Sequence, residues 1–188
     1  MSAAHDDSPA LSALATHIQT ALPRRPPPAP QTVAHHALAL QVQHNLQHQH
    51  QWTSLQLHTH SPLPPHAPLP RPLVSGLPPR RLYVHPDEQI ELLKEEARRK
   101  KKGEQPEDPS PEREWVLPSH LREKWSLRRM GEVFDAIGEV PPLPEDVRVE
   151  DKVNRWRTTK RVMLGILEDD STVVYYLVHD GLVKPRQN

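Results

Sequence analysis

Thirteen histidines and no cysteine set the chemical vocabulary of this 188-residue chain. The missing thiols exclude disulfides, zinc–thiolate sites and cysteine nucleophiles together, and they suit a reducing intracellular compartment. His44 and His48 stand four apart with His50 nearby, a spacing at which two imidazoles on one helical face can grip zinc or nickel. No carboxylate or cysteine accompanies them, and a closed site needs further ligands. With His35, His36, His58 and His60 close by, the reading is a Gln/His-rich solvated helix face. No metal and no cofactor is expected. Three carboxylates, Glu168, Asp169 and Asp170, follow one another between two apolar runs. Adjacent charges repel by roughly a few tenths of a kcal/mol per pair even in high dielectric. Asp and Ser are ordinary turn residues, but a turn selected for stability alone would rarely stack three carboxylates.

The formal net charge is zero, so any basic surface must be local. The run RRKKK (98–102) has three readings: a helix end that offsets the macrodipole, an import signal, or a phosphate contact. No aromatic residue is interleaved with it, so base stacking there is not expected. A second basic group, Arg122, Lys124, Arg128 and Arg129, surrounds Trp125, and a third, Arg155, Arg157, Lys160 and Arg161, surrounds Trp156. Each Trp is expected to anchor a core or an interface.

These groups need elements to position them. The hydrophobic fraction is 35%, with 23 prolines, and mean hydropathy is −0.73, so burial must be concentrated in part of the chain. Residues 9–22 predict a helix with Ser8 as cap, Pro9 at its first position, and Leu11, Leu14, Ile18 and Leu22 on one stripe. A stiff proline linker, RRPPPAP (24–30), follows, so residues 1–31 form an N-terminal arm and 32–188 the main domain. Within that domain a helix is expected from about Thr32 to Gln51, with Val33, Ala37, Leu38, Val42 and Leu46 inward. A half-buried strand follows over 53–58. Prolines make 61–79 an inserted loop, ahead of a short strand, RLYVH (81–85). Pro86 opens a helix with Ile90, Leu93 and Ala97 on its buried stripe. A charged loop (103–113), a strand at 114–117, and a helix capped by Ser126 and carrying Leu127, Met130, Phe134 and Ile137 come next. An acidic, proline-rich loop (139–151) leads to two strands, 162–167 and 172–178. Both are apolar at nearly every position, so helices should cover this terminal hairpin on each side. Asp6 and Asp7 sit where a signal peptide needs positive charge, and no apolar run approaches the roughly 20 residues that span a bilayer. A soluble intracellular protein, without membrane insertion, is expected.

The segment KRVMLGILEDDSTVVYYLVHDGLVKP (160–185) is similar to the carboxy-terminal end of tRNA-splicing endonuclease subunits, where a strand, a short acidic turn and a strand ending in paired tyrosines follow in order. Tyr175, Tyr176, Asp180, Gly181 and Pro185 resemble the smallest eukaryotic subunit. HNLQHQHQWTSLQLH (44–58) and RRLYVHPDEQIELLKEE (80–96) resemble its fungal members. The likeness covers roughly 33–188. It implies an α/β, tRNA-splicing endonuclease-like (restriction-nuclease-like) fold: a mixed sheet flanked by helices, with a terminal β-hairpin and long Pro-rich loops. It also implies a nuclear, four-subunit enzyme with two catalytic and two structural members that excises introns from precursor tRNA.

Catalytic members of that family need a base, an acid and a cation around a ribose 2′-hydroxyl, which the resemblance assigns to a tyrosine, a histidine and a lysine. Lys160 stands where the motif places the lysine. Tyr83 and His85 lie two apart on one expected strand and far upstream, so they make no such pair. The expectation is a structural, non-catalytic subunit with no small-molecule substrate. The resemblance implies that Val173, Val174, Tyr175 and Tyr176 meet a catalytic subunit's strand, and that Glu168, Asp169 and Asp170 dock in a neighbour's basic cleft. Arg155, Arg157, Lys160 and Arg161 could touch the tRNA backbone. The rivals are a free-standing nuclease of the same fold and a proline-rich adaptor whose segment 62–79 meets an SH3-type groove.

Overall fold

Alternation of large apolar residues along three strands builds the molecule around one sheet. Leu73, Trp115, Leu117 and Val162 point to one face and Val74, Val116 and Met163 to the other, all buried. The period of two in a strand requires this division. We describe residues 12–24, 27–105, 108–143 and 154–181 of a computed structural model. The elements are α1 (Ala13–Ala21), α2 (Val33–His48), β1 (Thr53–His60), β2 (Pro68–Leu77), α3 (Pro86–Lys101), β3 (Glu114–His120), α4 (Leu127–Asp135), β4 (Arg161–Leu167) and β5 (Val173–His179). The strands lie in the order β1-β2-β3-β4-β5. All neighbours are antiparallel except β3 and β4, which run parallel from Trp115↔Val162 to His120↔Leu167. The expected α/β class and mixed sheet are therefore present.

Helix α2 covers one face through Ala39, Val42 and Leu46, and α4 covers the other through Val133 and Phe134, with Ile137 just beyond it. Thr32 caps α2 and Ser126 caps α4, their hydroxyls accepting from His35 N–H at 3.2 Å and Arg129 N–H at 3.3 Å. Val33 and Leu127, expected inward, are exposed, each at the first position of its helix. The described part of α1 starts after Ser12, whose hydroxyl accepts from Ala15 N–H. The expected cap at Ser8, with Pro9 and Leu11, lies outside the described residues, as does the loop 139–151 from residue 144 on.

Three expectations are corrected. Residues 68–77 form a strand within the sheet, although they carry Pro68, Pro70 and Pro72. Pairing of β2 with β3 is confined to Val74–Gly76, past the last of these prolines, so their missing N–H groups interrupt no doubly paired stretch. Residues 81–85 form no strand: Arg81 bonds the Ser110 carbonyl at 2.9 Å, and His85 caps α3, accepting from Asp87 N–H at 3.2 Å. The expected buried stripe of α3 faces water, with Ile90 and Leu93 more than half exposed. The N-terminal end of the helix is held instead by the charge of Glu88, which is buried.

Candidate partner interface

The hairpin β4–β5 ends the sheet, and its two strands have different surroundings. β4 lies between α2 and α4, with Met163 in one core cluster and Val162 in the other. β5 pairs with β4 from Leu167↔Val173 to Arg161↔His179, and among the described residues its other edge carries no strand. Val173 and Tyr175 pack toward α2, while Val174 and Tyr176 are 46% and 56% exposed on the opposite face. The expectation of a helix on each side therefore holds for β4 and fails for β5, where Val174 and Tyr176 stay exposed and Val178 packs against the cluster that includes Val133 and Phe134.

The paired tyrosines divide the work. Tyr175 donates its hydroxyl to Asn45 Oδ1 at 2.7 Å, and burial pushes its phenol above the ordinary tyrosine range. Gly165 makes room for it: a Cβ there would stand 3.0 Å from the Tyr175 ring and 3.2 Å from Val42. Tyr175 thus fixes β5 to α2, and Tyr176 offers a ring to whatever approaches. An open edge flanked by an exposed Val and Tyr can accept another strand, with backbone bonds for affinity and side chains for selectivity.

The turn between the strands is tied down. Glu168 N–H donates to the Thr172 carbonyl at 2.9 Å, and Ser171, at φ +70°, donates its N–H to the Glu168 carbonyl at 3.0 Å. The Asp170 carboxylate accepts from Thr172 N–H at 2.8 Å, which holds its carboxyl below the usual range. Asp169 pairs with Arg122 and lies 3.2 Å from His120 Nε2. Among the described residues the Glu168 carboxylate has no partner, so the three acids are not equivalent.

The expected nucleic-acid contacts separate as well. Arg157 and Arg161 are buried and turn inward to Glu114 and Glu112, which removes them from any RNA-facing set. Arg81 joins Glu88 and Glu112, so three arginines and three glutamates form one internal cluster. Burial opposes the Arg161 charge, but its bonds to Glu114 and Glu112 outweigh this and raise its pKa. Burial prevails at Arg157 and lowers its value. Arg155 stays exposed, over the Trp156 ring and paired with Glu91. Lys160 donates its ammonium to the Phe134 carbonyl at 2.8 Å.

Tyr83 and His85 point apart. Tyr83 packs on His179, ring centroids 4.7 Å apart, and His85 stacks on Trp156. His179 was not singled out from sequence; burial, then Arg161 and Arg157, lowers its pKa. His44 and His48 face one another at 4.3 Å between centroids, with His17 at 5.9 Å from His44. Glu112 and Glu114 also escaped the sequence reading, although two acids at the threshold of the apolar run WVL (115–117) were the signal. A cleft of about 240 Å³ lies apart from this edge, lined by His35, Arg71, Trp125 and Arg129 among others.

A family model described as "Sen15 protein" matches residues 41–188, from the middle of α2 through β5. The chain belongs to the Sen15 family. A "Probable tRNA-splicing endonuclease subunit tsp-1" of Neurospora crassa is 48% identical over 157 residues, covering 81% of this chain and 66% of the relative. A "Probable tRNA-splicing endonuclease subunit sen15" of Schizosaccharomyces pombe is 40% identical over 76 residues, covering 40% of this chain and 50% of the relative. A "tRNA-splicing endonuclease subunit SEN15" of Eremothecium gossypii is 38% identical over 76 residues, covering 40% and 52%. The chain therefore spans about half to two thirds of these Sen15-type relatives. The match excludes α1, and no helix among the described residues is long and apolar enough to cross a membrane.

Proposed function

We propose that this chain is a structural, non-catalytic subunit of a four-subunit, nuclear tRNA-splicing endonuclease. It joins a catalytic subunit by presenting the outer edge of β5 to that subunit's own strand. The turn Glu168, Asp169, Asp170 offers a second contact to a basic cleft on another subunit, and precursor tRNA is positioned through the assembled complex. The observation that carries this reading is the edge of β5, unpaired among the described residues, with Val174 and Tyr176 open beside it.

Other features support it. The Lys160 ammonium is bound to a carbonyl, and Tyr83 and His85 face different neighbours, so these three side chains do not converge. Arg155 and Lys160 remain on the RNA-facing side of the reading, with Arg157 and Arg161 withdrawn. The adaptor reading loses its ligand segment, because 68–77 is committed to the sheet.

The test is co-expression with the other endonuclease subunits from the same organism. Val174→Asp and Tyr176→Asp place a charge on the open face and should abolish pairing with the catalytic subunit. Circular dichroism should be unchanged. Wild-type chain that forms no complex, or variants that pair as well as wild type, would overturn the proposal.

A further inference from the structure

Helix α3 projects from the body. Its 16 residues extend about 24 Å, at roughly 1.5 Å per residue. Among the described residues its base is anchored: Glu88 is buried against Arg81 and Asn154, Glu91 pairs with Arg155, and the capping His85 stacks on Trp156. From residue 89 to residue 101 nothing is buried.

Side chains three, four and seven apart share a helical face. Glu88, Leu92 and Arg99 fall on the side toward the body and are buried or half-buried. Ile90, Leu93 and Ala97 fall on the opposite side, where Ile90 is 51% and Leu93 56% exposed. Cations border this stripe, Lys100 on one flank and Lys94 and Lys101 on the other, all in water. An amphipathic pattern of this kind forms a buried face in most globular helices. Here, among the described residues, Ile90, Leu93 and Ala97 stay exposed.

We infer that α3 is a docking arm for an acidic amphipathic helix of a partner protein. Apolar residues of that helix lie on Ile90, Leu93 and Ala97, and its carboxylates meet Lys94, Lys100 and Lys101. One occupant then accounts for both the stripe and its charged borders. An RNA backbone would satisfy the lysines but leave Ile90 and Leu93 in water, and Glu95 already pairs with Arg98 at 3.2 Å. A second copy of α3 laid antiparallel offers Asp87 and Glu96 to the three lysines but brings three lysines of its own. The stripe is far smaller than a stable interface of about 1,600 Å², so it strengthens an assembly held elsewhere. The inference therefore rests on the multi-subunit reading given above.

The experiment uses the endonuclease reconstituted from co-expressed subunits, with a photo-crosslinking residue replacing Leu93. Mass spectrometry should place the crosslink on another subunit, in a helical segment with apolar residues at three- and four-residue spacing and Asp or Glu beside them. Ile90→Ser/Leu93→Ser and, separately, Lys100→Glu/Lys101→Glu should each raise the concentration needed to saturate the remaining subunits by about tenfold. Circular dichroism and the β5-dependent pairing should be unchanged in both. A complex that assembles normally while Leu93 crosslinks only to RNA, only to a second copy, or to nothing overturns the docking arm alone. Failure of the wild-type chain to assemble overturns the subunit reading and this one together.

Discussion

Arg161 on β4 and Glu114 on β3 are joined at the buried end of the parallel pair, Arg161 Nε donating to Glu114 Oε2 at 3.0 Å. Arg157 reaches the same carboxylate at 3.2 Å, and Glu114 is 1% exposed. The loop before β4 is thus tied to the first residue of β3 by charge. A third cation, Arg81, joins the arrangement through Glu112, which Arg161 also reaches, so no charge inside it stands alone. Buried ion pairs add little net stability over apolar packing, but breaking one partner away leaves an uncompensated charge.

Glu114→Ala therefore lowers unfolding stability by about 3 kcal/mol or more, within the range for a broken buried pair. Exposed pairs such as Arg128–Glu132 serve as the control, since Glu132→Ala changes stability by roughly 0.5 kcal/mol or less. Urea titration of both variants checks this. Equal midpoints for Glu114→Ala and wild type would mean the cluster does not hold the strands.

His58 is an acid-sensitive position. Its Nε2 lies 2.8 Å from Ser75 Oγ and its ring packs on Trp115, and burial, then the Arg113 charge, pushes its pKa down to about 4. The unfolded imidazole titrates near 6.5. Between those values the unfolded chain binds the proton and the folded chain does not, so stability is whole above about pH 6.5 and falls as pH drops toward 4. The loss from His58 is on the order of 2 kcal/mol, after discounting for its partial exposure. His35, His36, His44 and His179 are shifted down as well and act with the same sign. Denaturation curves across pH 7.5 to 4.5 should show the decline, with His58→Gln flattening part of it.

Strands and helices whose side chains read out burial directly were legible in the sequence. Trp115–Leu117, Val162–Leu167 and the Val133, Phe134 helix are examples, because period and apolarity there coincide with packing. β2 was not legible: Pro68, Pro70 and Pro72 argue against a strand, and only the limited reach of β3 lets them stay. Arg157 and Arg161 read as solvent-facing cations, because nothing local reveals that Glu112 and Glu114, more than 40 residues away in sequence, come back to meet them. Val174 and Tyr176 looked as buried as Val173 and Tyr175. Whether a neighbouring helix extends over a given strand face is a property of the assembled layers, not of the strand.

Tyr83 and His179 are in ring contact, which gives the free-standing nuclease reading its one specific observation. The His179 Nε2 is buried without a hydrogen-bond partner, and the Lys160 ammonium is bound to Phe134, so neither is poised to meet a ribose and its phosphate. Tyr83→Phe, His179→Asn and Lys160→Ala should each leave intron excision by the assembled endonuclease within about threefold of wild type, as removal of a general acid or base would lower it by about a hundredfold or more. Cleavage assays on precursor tRNA, normalised to assembled complex, distinguish the two. A hundredfold loss with assembly intact would make this chain catalytic.

The acidic turn separates into parts that can be tested one by one. Asp170 is occupied by Thr172 N–H and Asp169 by Arg122 and His120, contacts that stabilise the turn itself. Glu168 is exposed and, among the described residues, without a partner for its carboxylate. If the turn enters a basic cleft on another subunit, Glu168 meets it directly, and Asp169 must be shared with or released by Arg122. Glu168→Gln alone should weaken four-subunit assembly, and the triple change with Asp169→Asn and Asp170→Asn should weaken it further. The β5-paired dimer should survive both. Because the contact is between exposed charges, it should fade as the Debye length falls below about 8 Å with added salt. Arg122→Ala supplies the opposite sign: freeing Asp169 from its internal partner should strengthen assembly slightly at low salt. Native mass spectrometry of the complexes across a salt series measures all three. Identical tetramer yields for wild type and triple variant at every salt concentration would leave Glu168, Asp169 and Asp170 with the structural role alone, closing β4 onto β5.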